Sequence, residues 1–312
     1  MAMRRSTVLT GTVMLLALLA ACSALAGGGD TQGKSPVVAA PVVQYGKGKL
    51  LCLLANKKIT ESSGVAASRR TAGVFWTHND SGDKPNLYAF DLRGRDLGTW
   101  QVQGVAARDW EDMASFSLGG KPWLLVADTG DNDRKCRTPI LYVIPEPRVD
   151  PNRPVAIGQA AAAMTIPFFY DDGCQDCEAV GVDANSRKIL LISKRGKRTV
   201  YEMPLPEATP AKPLTAKSIA TLDLGMVTAM DVSPDGLRAV VATYGNLTEY
   251  ARAPGESWAV AFGRSGRSVA APGRKQGEGV CFGLDGKTLY LTSEGSPCPL
   301  LEIPAKPHGG TR

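Results

Sequence analysis

Histidine is scarce in this sequence, with two residues in 312, and one of them, His308, stands in a C-terminal run of Gly and Pro. Chemistry of the Ser-His-Asp kind is therefore left with a single candidate base, His78. No Gly-x-Ser-x-Gly elbow, His-x-x-x-His zinc pair or Gly-x-Gly-x-x-Gly fingerprint occurs, which argues against nucleophile-elbow hydrolases and dinucleotide enzymes. Aromatic residues make up only 6% of the chain, and no basic stripe is interleaved with them. The formal charge of +6, which includes Arg4 and Arg5, thus reads as ordinary surface charge, and no nucleic-acid partner is expected. Helical periodicity is lacking too: beyond residue 48 no stretch sustains it for three turns. Instead 34 Gly and 21 Pro punctuate short apolar runs, the pattern of an all-β chain.

At the N-terminus, Arg4 and Arg5 precede an apolar run from Val8 to Ala21 that is too short for a stable transmembrane helix. Residues 1–21 read as a signal peptide, and Leu19-Ala20-Ala21-Cys22 matches a bacterial lipobox, so Cys22 is expected to carry a lipid anchor. A cut after Ala24-Leu25-Ala26 is the alternative, and it would release a secreted protein. Either way the chain is expected outside the cytoplasm, in the cell envelope if anchored. Residues 22–48, rich in Gly, Pro, Ser and Ala, read as a flexible tether, 49–304 as the folded domain and 305–312 as a disordered tail.

Five segments of the domain resemble one another. They begin at Glu61, Glu111, Glu178, Thr228 and Glu278, 50 residues apart except for the second interval, which is about 17 residues longer. Each is followed by a turn and an apolar strand, such as Val74-Phe-Trp-Thr or Ile189-Leu-Leu-Ile-Ser, and several by a third strand. Four strands in about 50 residues is the unit of a propeller blade. The sequence predicts a five-bladed β-propeller whose last blade is completed by the N-terminal strand around Leu50-Leu-Cys-Leu-Leu-Ala. A six-bladed form, with a degenerate blade in residues 146–172, is the alternative.

Residues that open the innermost strands meet at one mouth of a propeller's channel. Glu61, Glu111, Glu178, Thr228 and Glu278 are therefore expected to form a ring, and carboxylates so gathered need a cation among them. Calcium suits such a set of oxygen donors. The loops after the second strands are expected on the same face, bringing His78, Asn79 and Asp80, Asp128 and Asp131, the basic pair Lys194 and Arg195, Tyr244 and Glu294 to a ligand-binding surface. His78 or Glu111 would be the general base if the site is catalytic.

Trp76-Thr-His-Asn-Asp-Ser-Gly-Asp, Asp109-Trp-Glu-Asp, Ala127-Asp-Thr-Gly-Asp-Asn, Asp176-Cys-Glu-Ala and Gln276-Gly-Glu-Gly resemble the motifs of bacterial envelope propellers related to the SdiA-regulated and phytase-like β-propeller groups. The resemblance runs from residue 60 to 303 and implies an extracytoplasmic propeller with calcium near its channel. Six cysteines besides Cys22 suit an oxidising compartment. Cys136 is expected to pair with Cys174 or Cys177, and Cys52 with Cys281 or Cys298. The sequence supports a monomeric propeller that binds a small anionic ligand or an envelope protein on a calcium-ordered face. The alternative is a calcium-dependent hydrolase of phosphate or carboxylic esters or lactones, with Lys194 or Arg195 neutralising developing charge.

Overall fold

The computed structural model describes residues 40–80, 82–133 and 135–307. The signal peptide, Cys22, most of the tether and His308 lie outside the described residues. Among those described, the chain is all-β, with one short helix. The strands are β1 (Lys49–Leu53), β2 (Ser62–Ala67), β3 (Val74–Asn79), β4 (Asn86–Asp91), β5 (Asp96–Gln103), β6 (Trp110–Leu118), β7 (Lys121–Asp128), β8 (Ile140–Pro145), β9 (Val155–Ala161) and β10 (Met164–Tyr170). They continue with β11 (Cys177–Asp183), β12 (Lys188–Ser193), β13 (Thr199–Pro204), β14 (Leu214–Thr221), β15 (Val227–Val232), β16 (Arg238–Thr243) and β17 (Leu247–Ala251). Helix α1 (Trp258–Phe262) precedes β18 (Arg267–Val269), β19 (Gly277–Phe282), β20 (Leu289–Ser293) and β21 (Pro299–Ile303). No described helix is long and apolar enough to cross a membrane.

The strands assort into a five-stranded sheet β2-β3-β4-β5-β9, an eight-stranded sheet β11-β12-β13-β14-β10-β8-β7-β6, and four-stranded sheets β15-β16-β17-β18 and β1-β21-β20-β19. The eight-stranded sheet is two antiparallel groups of four joined by a short parallel pairing of β10 with β14. Residues 146–172 form no sheet of their own: β9 adds parallel to β5, and β10 adds antiparallel to β8. At the other end of the chain β1 pairs with β21, so the last sheet is built from both termini.

Position within a sheet explains the sequence of each strand. Second strands such as β12, Lys-Ile-Leu-Leu-Ile-Ser, are covered on both faces and read as continuous apolar runs. Outer strands such as β14, Leu-Thr-Ala-Lys-Ser-Ile-Ala-Thr, are half exposed and mixed in character. First strands β2, β6, β11, β15 and β19 pack against one another in a closed cycle, β2 to β6 to β11 to β15 to β19 and back to β2. Five apolar cores lie in the same cyclic order between neighbouring groups of strands. Trp76 and Met113 share one, Leu125 and Leu191 the next, Ile192 and Val241 a third, Val240 and Leu291 a fourth, and Leu300 and Phe75 the last. Each such side chain, fully covered, contributes roughly 1.5–3 kcal/mol.

No backbone ladder links one first strand to the next, and their edge groups are satisfied partly by loop carbonyls, as for Cys177, Val227 and Gly277, and partly by side chains. Asp112 accepts hydrogen bonds from the amides of Val180 (2.9 Å) and Met230 (3.1 Å), tying β6 to β11 and β15. Asp231 accepts from Phe282 N (2.8 Å), and Ser115 Oγ donates to the Ala67 carbonyl (2.6 Å). Burial drives the Asp112 carboxyl well above its ordinary pKa and that of Asp231 to about 6.

Two expectations about the chain ends and cysteines need correction. Part of the expected tether is pinned: Tyr45 Oη donates to Glu249 Oε1 (2.6 Å), Arg267 binds the Val43 carbonyl (2.6 Å), and Gly46 N and Lys306 N bond Pro304 O and Gln44 O, each at 2.7 Å. Cys136 and Cys174 form a disulfide, whereas Cys52, Cys281 and Cys298 are thiols, as is Cys177. Strand pairing through β1 and β21 closes the last sheet without a covalent bond.

Candidate functional site

All five first strands carry a β-bulge near their start. Pairing with the second strand slips between Ser62 and Gly64, Trp110 and Asp112, Cys177 and Ala179, Val227 and Ala229, and Gly277 and Gly279. The skipped residues, Ser63, Glu111, Glu178, Thr228 and Glu278, are equivalent, and a bulge turns such a residue out of the ladder. Ser63, not Glu61, therefore takes the first position. Glu61 is exposed and stands two residues earlier, level with Asp109, Asp176 and Gln276. The hydroxyls of Ser63 and Thr228 are spent on the structure, donating to the carbonyls of Glu111 and Gly277 (2.8 Å for the latter).

Three buried glutamates remain, Glu111, Glu178 and Glu278, at 1%, 2% and 3% exposure. Two triads of carboxylates meet at Glu111: Asp80, Asp109 and Glu111, and Glu111, Asp176 and Glu178, with ligand atoms within 4.8 Å of one another in each. Glu111 Oε1 is buried without a hydrogen-bond partner, as are Asp176 Oδ2 and Glu278 Oε2. A Cβ on Gly130 would collide with Glu111 Oε1 and with the Asp109 carboxylate, so this glycine lets the two acids crowd against the backbone of the β7–β8 loop.

Such crowding is written in the proton affinities. Burial first, then Glu178, Asp80 and Asp109, holds the Glu111 carboxyl well above the usual range. Burial raises Glu178 to about 7 although Lys194 opposes the shift, and it raises Glu278 to about 8. Asp109 is pushed to about 6 by burial and by Asp80, Asp176 and Asp128. Glu294 is raised by burial and by the nearby Asp80 and Glu61. Lys194 is the cation of this cluster: its Nζ bonds Glu178 Oε1, and Glu178 and Glu111 hold its pKa above the ordinary value despite burial. Tyr244 lies beside Lys194 and Glu278, and Gln276 Nε2 donates to Glu278 Oε1 (3.1 Å).

Other residues expected on this face serve the fold. His78 is fully buried, its Nδ1 2.9 Å from the Asn79 carbonyl and its ring edge-on to Trp110 at 5.6 Å, and burial lowers its pKa. Asn79 Oδ1 accepts from Thr60 N and Glu61 N (3.1 and 3.2 Å), fastening the loop ahead of β2. Asp128 binds Arg108 Nε (3.0 Å) and Asp109 N (3.1 Å), and Asp131 accepts from Lys135 N (2.8 Å) and Cys136 N (2.9 Å). Lys194 is not free to meet an anion, because Glu178 already holds it, while Arg195 donates to Asn132 Oδ1 (2.9 Å) and stands 3.8 Å from Asp176 Oδ2.

Sequence reasoning passed over Asp109 and Asp176 as ligands. The signal for them was the twice-repeated spacing Asp-x-Glu in Asp109-Trp110-Glu111 and Asp176-Cys177-Glu178, which a bulge converts into two acids at one mouth. Chemically the arrangement is an anionic oxygen cluster with the Lys194 ammonium within it and the guanidiniums of Arg195 and Arg274 beside Asp176 and Glu278, able to hold a hard cation and to exchange protons near neutrality. No known family model matches this chain, and no curated protein matches it.

Proposed function

We propose that the protein is a lipid-anchored envelope β-propeller of five blades, which holds calcium in its carboxylate cluster and through that ion binds an anionic ligand or an envelope partner. The closed cycle of five first strands and the pairing of β1 with β21 support the propeller, and Leu19-Ala20-Ala21-Cys22 supports the anchor. The observation that carries the binding function is the orphaned, buried Oε1 of Glu111, at the junction of two acidic triads. Oxygens sharing one Ca²⁺ at roughly 2.3–2.6 Å stand no more than about 5.2 Å apart, and the triads fit that limit. Lys194 already neutralises Glu178, so Asp80, Asp109 and Glu111 form the preferred cation site.

A second reading, calcium-dependent hydrolysis of phosphate or carboxylic esters or lactones, draws on Glu178, whose pKa of about 7 suits a general base. Calorimetric titration of chelator-stripped protein with calcium tests the first reading. A saturable response that is lost in Glu111→Gln supports it, and no response at neutral pH sinks it. Chelator-sensitive turnover of phosphomonoesters, aryl esters or lactones, abolished in Glu178→Gln, would decide for the hydrolase.

A further inference from the structure

Resting on the calcium reading above for its first ion, we infer that Lys194 fills a second cation position of the carboxylate cluster with its own ammonium, and so limits the cluster to one divalent ion.

The two acidic triads share Glu111, so a cation in each would be bridged by one carboxylate, the arrangement of two-metal sites whose ions stand about 3.5–4 Å apart. One of the two, Glu111 with Asp176 and Glu178, already contains a cation. Lys194 follows directly on β12, where its backbone N donates to the Asp176 carbonyl (2.9 Å) and its carbonyl accepts from Val227 N (3.3 Å), which pins it between β11 and β15. From there Nζ reaches Glu178 Oε1, the two side chains being 10% and 2% exposed. Burial works against the charge on Nζ, and Glu178 first and Glu111 next hold it charged nonetheless. The hydroxyl of Tyr244 is a further partner of the ammonium.

An ammonium draws carboxylate oxygens to about 2.7–2.9 Å and calcium to about 2.3–2.6 Å, so the two compete for the same oxygens and do not share them. Lys194 has the advantage of being fixed to the chain, at an effective concentration that a free ion must match. Two buried oxygens of this triad, Glu111 Oε1 and Asp176 Oδ2, lack a hydrogen bond, so the ligands for a larger charge are present. Arg195 stands 3.8 Å from Asp176 Oδ2 with half its side chain in solvent, where such a pair is worth little. With the five carboxylates of the two triads ionised, one divalent ion beside Lys194 leaves two negative charges, and two divalent ions without the ammonium leave one. Charge alone therefore admits the second ion, and the lysine is what keeps it out.

The test is equilibrium dialysis of the full, processed, chelator-stripped chain against calcium up to about 5 mM, above the affinity range of extracellular sites, with bound metal counted by atomic emission. The wild type should hold one ion and Lys194→Met two. Lys194→Gln, which keeps a donor for Glu178 and guards against a methionine variant that fails to fold, should also hold two. Lys194→Arg restores a cation and should return the count to one, as should Lys194→Gln combined with Glu178→Gln, which removes a ligand; melting curves check that each variant is folded. One ion in both the wild type and Lys194→Gln overturns the inference and leaves the calcium reading standing, and two ions in the wild type overturn it as well. No ion in the wild type but one in Lys194→Gln upholds the role of Lys194 and sinks the calcium reading, and no ion in either sinks both.

Discussion

Raising the pH of the cation-free protein from about 5 to about 8.5 should destabilise it. A carboxyl whose folded-state pKa exceeds its unfolded value contributes fully below the unfolded value and loses that contribution as pH rises through the folded one. Glu278 stands at about 8 against an ordinary 4.5, and Glu178 at about 7. At about 1.36 kcal/mol per pKa unit, ionising Glu278 alone in the empty site costs roughly 3–5 kcal/mol. In a chain of this size that lowers Tm by roughly 6–20 °C. Acids held below their ordinary values, such as Asp91, Asp235 and Asp285, lose their protons below this window, while His78, whose pKa burial lowers, adds stability as pH rises to its ordinary 6.5 and offsets part of the effect below that pH. Thermal melts at stepped pH, with chelator and with calcium, measure the slope directly. Calcium at Asp80, Asp109 and Glu111 should remove only the share of the slope that those acids contribute, whereas Glu278→Gln should remove the Glu278 share. A chelated Tm that is level or rising from pH 5 to 8.5, or a full slope in Glu278→Gln, would refute the reasoning.

Glu111→Gln should remove the calcium-induced rise in Tm and weaken calcium binding by at least tenfold, about 1.4 kcal/mol, without lowering the stability of the chelated protein; calorimetry and melts together check both halves. Gly130→Ala should cost about 1–3 kcal/mol and weaken calcium, because the new methyl meets the Glu111 and Asp109 carboxylates; urea unfolding with and without the ion reads it. Cys136→Ser should lower stability by roughly 2–4 kcal/mol, since Cys136–Cys174 closes a 38-residue separation; reducing agent should then change the wild type and not the variant.

Much of the fold was legible because apolar runs and Asx or Gly turns recur at a near-constant interval. Glu111, Glu178, Thr228 and Glu278 fell into register for that reason. The first repeat did not, since Glu61-Ser62-Ser63 offers a glutamate two residues ahead of the bulge and nothing local marks where a ladder slips. His78 looked catalytic among polar neighbours, yet β3 continues to Asn79, and strand alternation puts His78 on the same inward face as Trp76. Asp112 was invisible as a structural residue: its carboxylate serves amides 68 and 118 residues away, a role only tertiary structure assigns.

The pairing of β1 with β21 makes the earliest described strand wait for the latest. A growing chain can assemble the sheets from β2 to β18 while β1 stays unsatisfied, its backbone offered to no partner until residues beyond 298 emerge. The last sheet is then completed only once β21 has emerged, and loss of that strand through a premature stop would leave the edges of β1 and β20 unsatisfied, a form fit for aggregation or degradation.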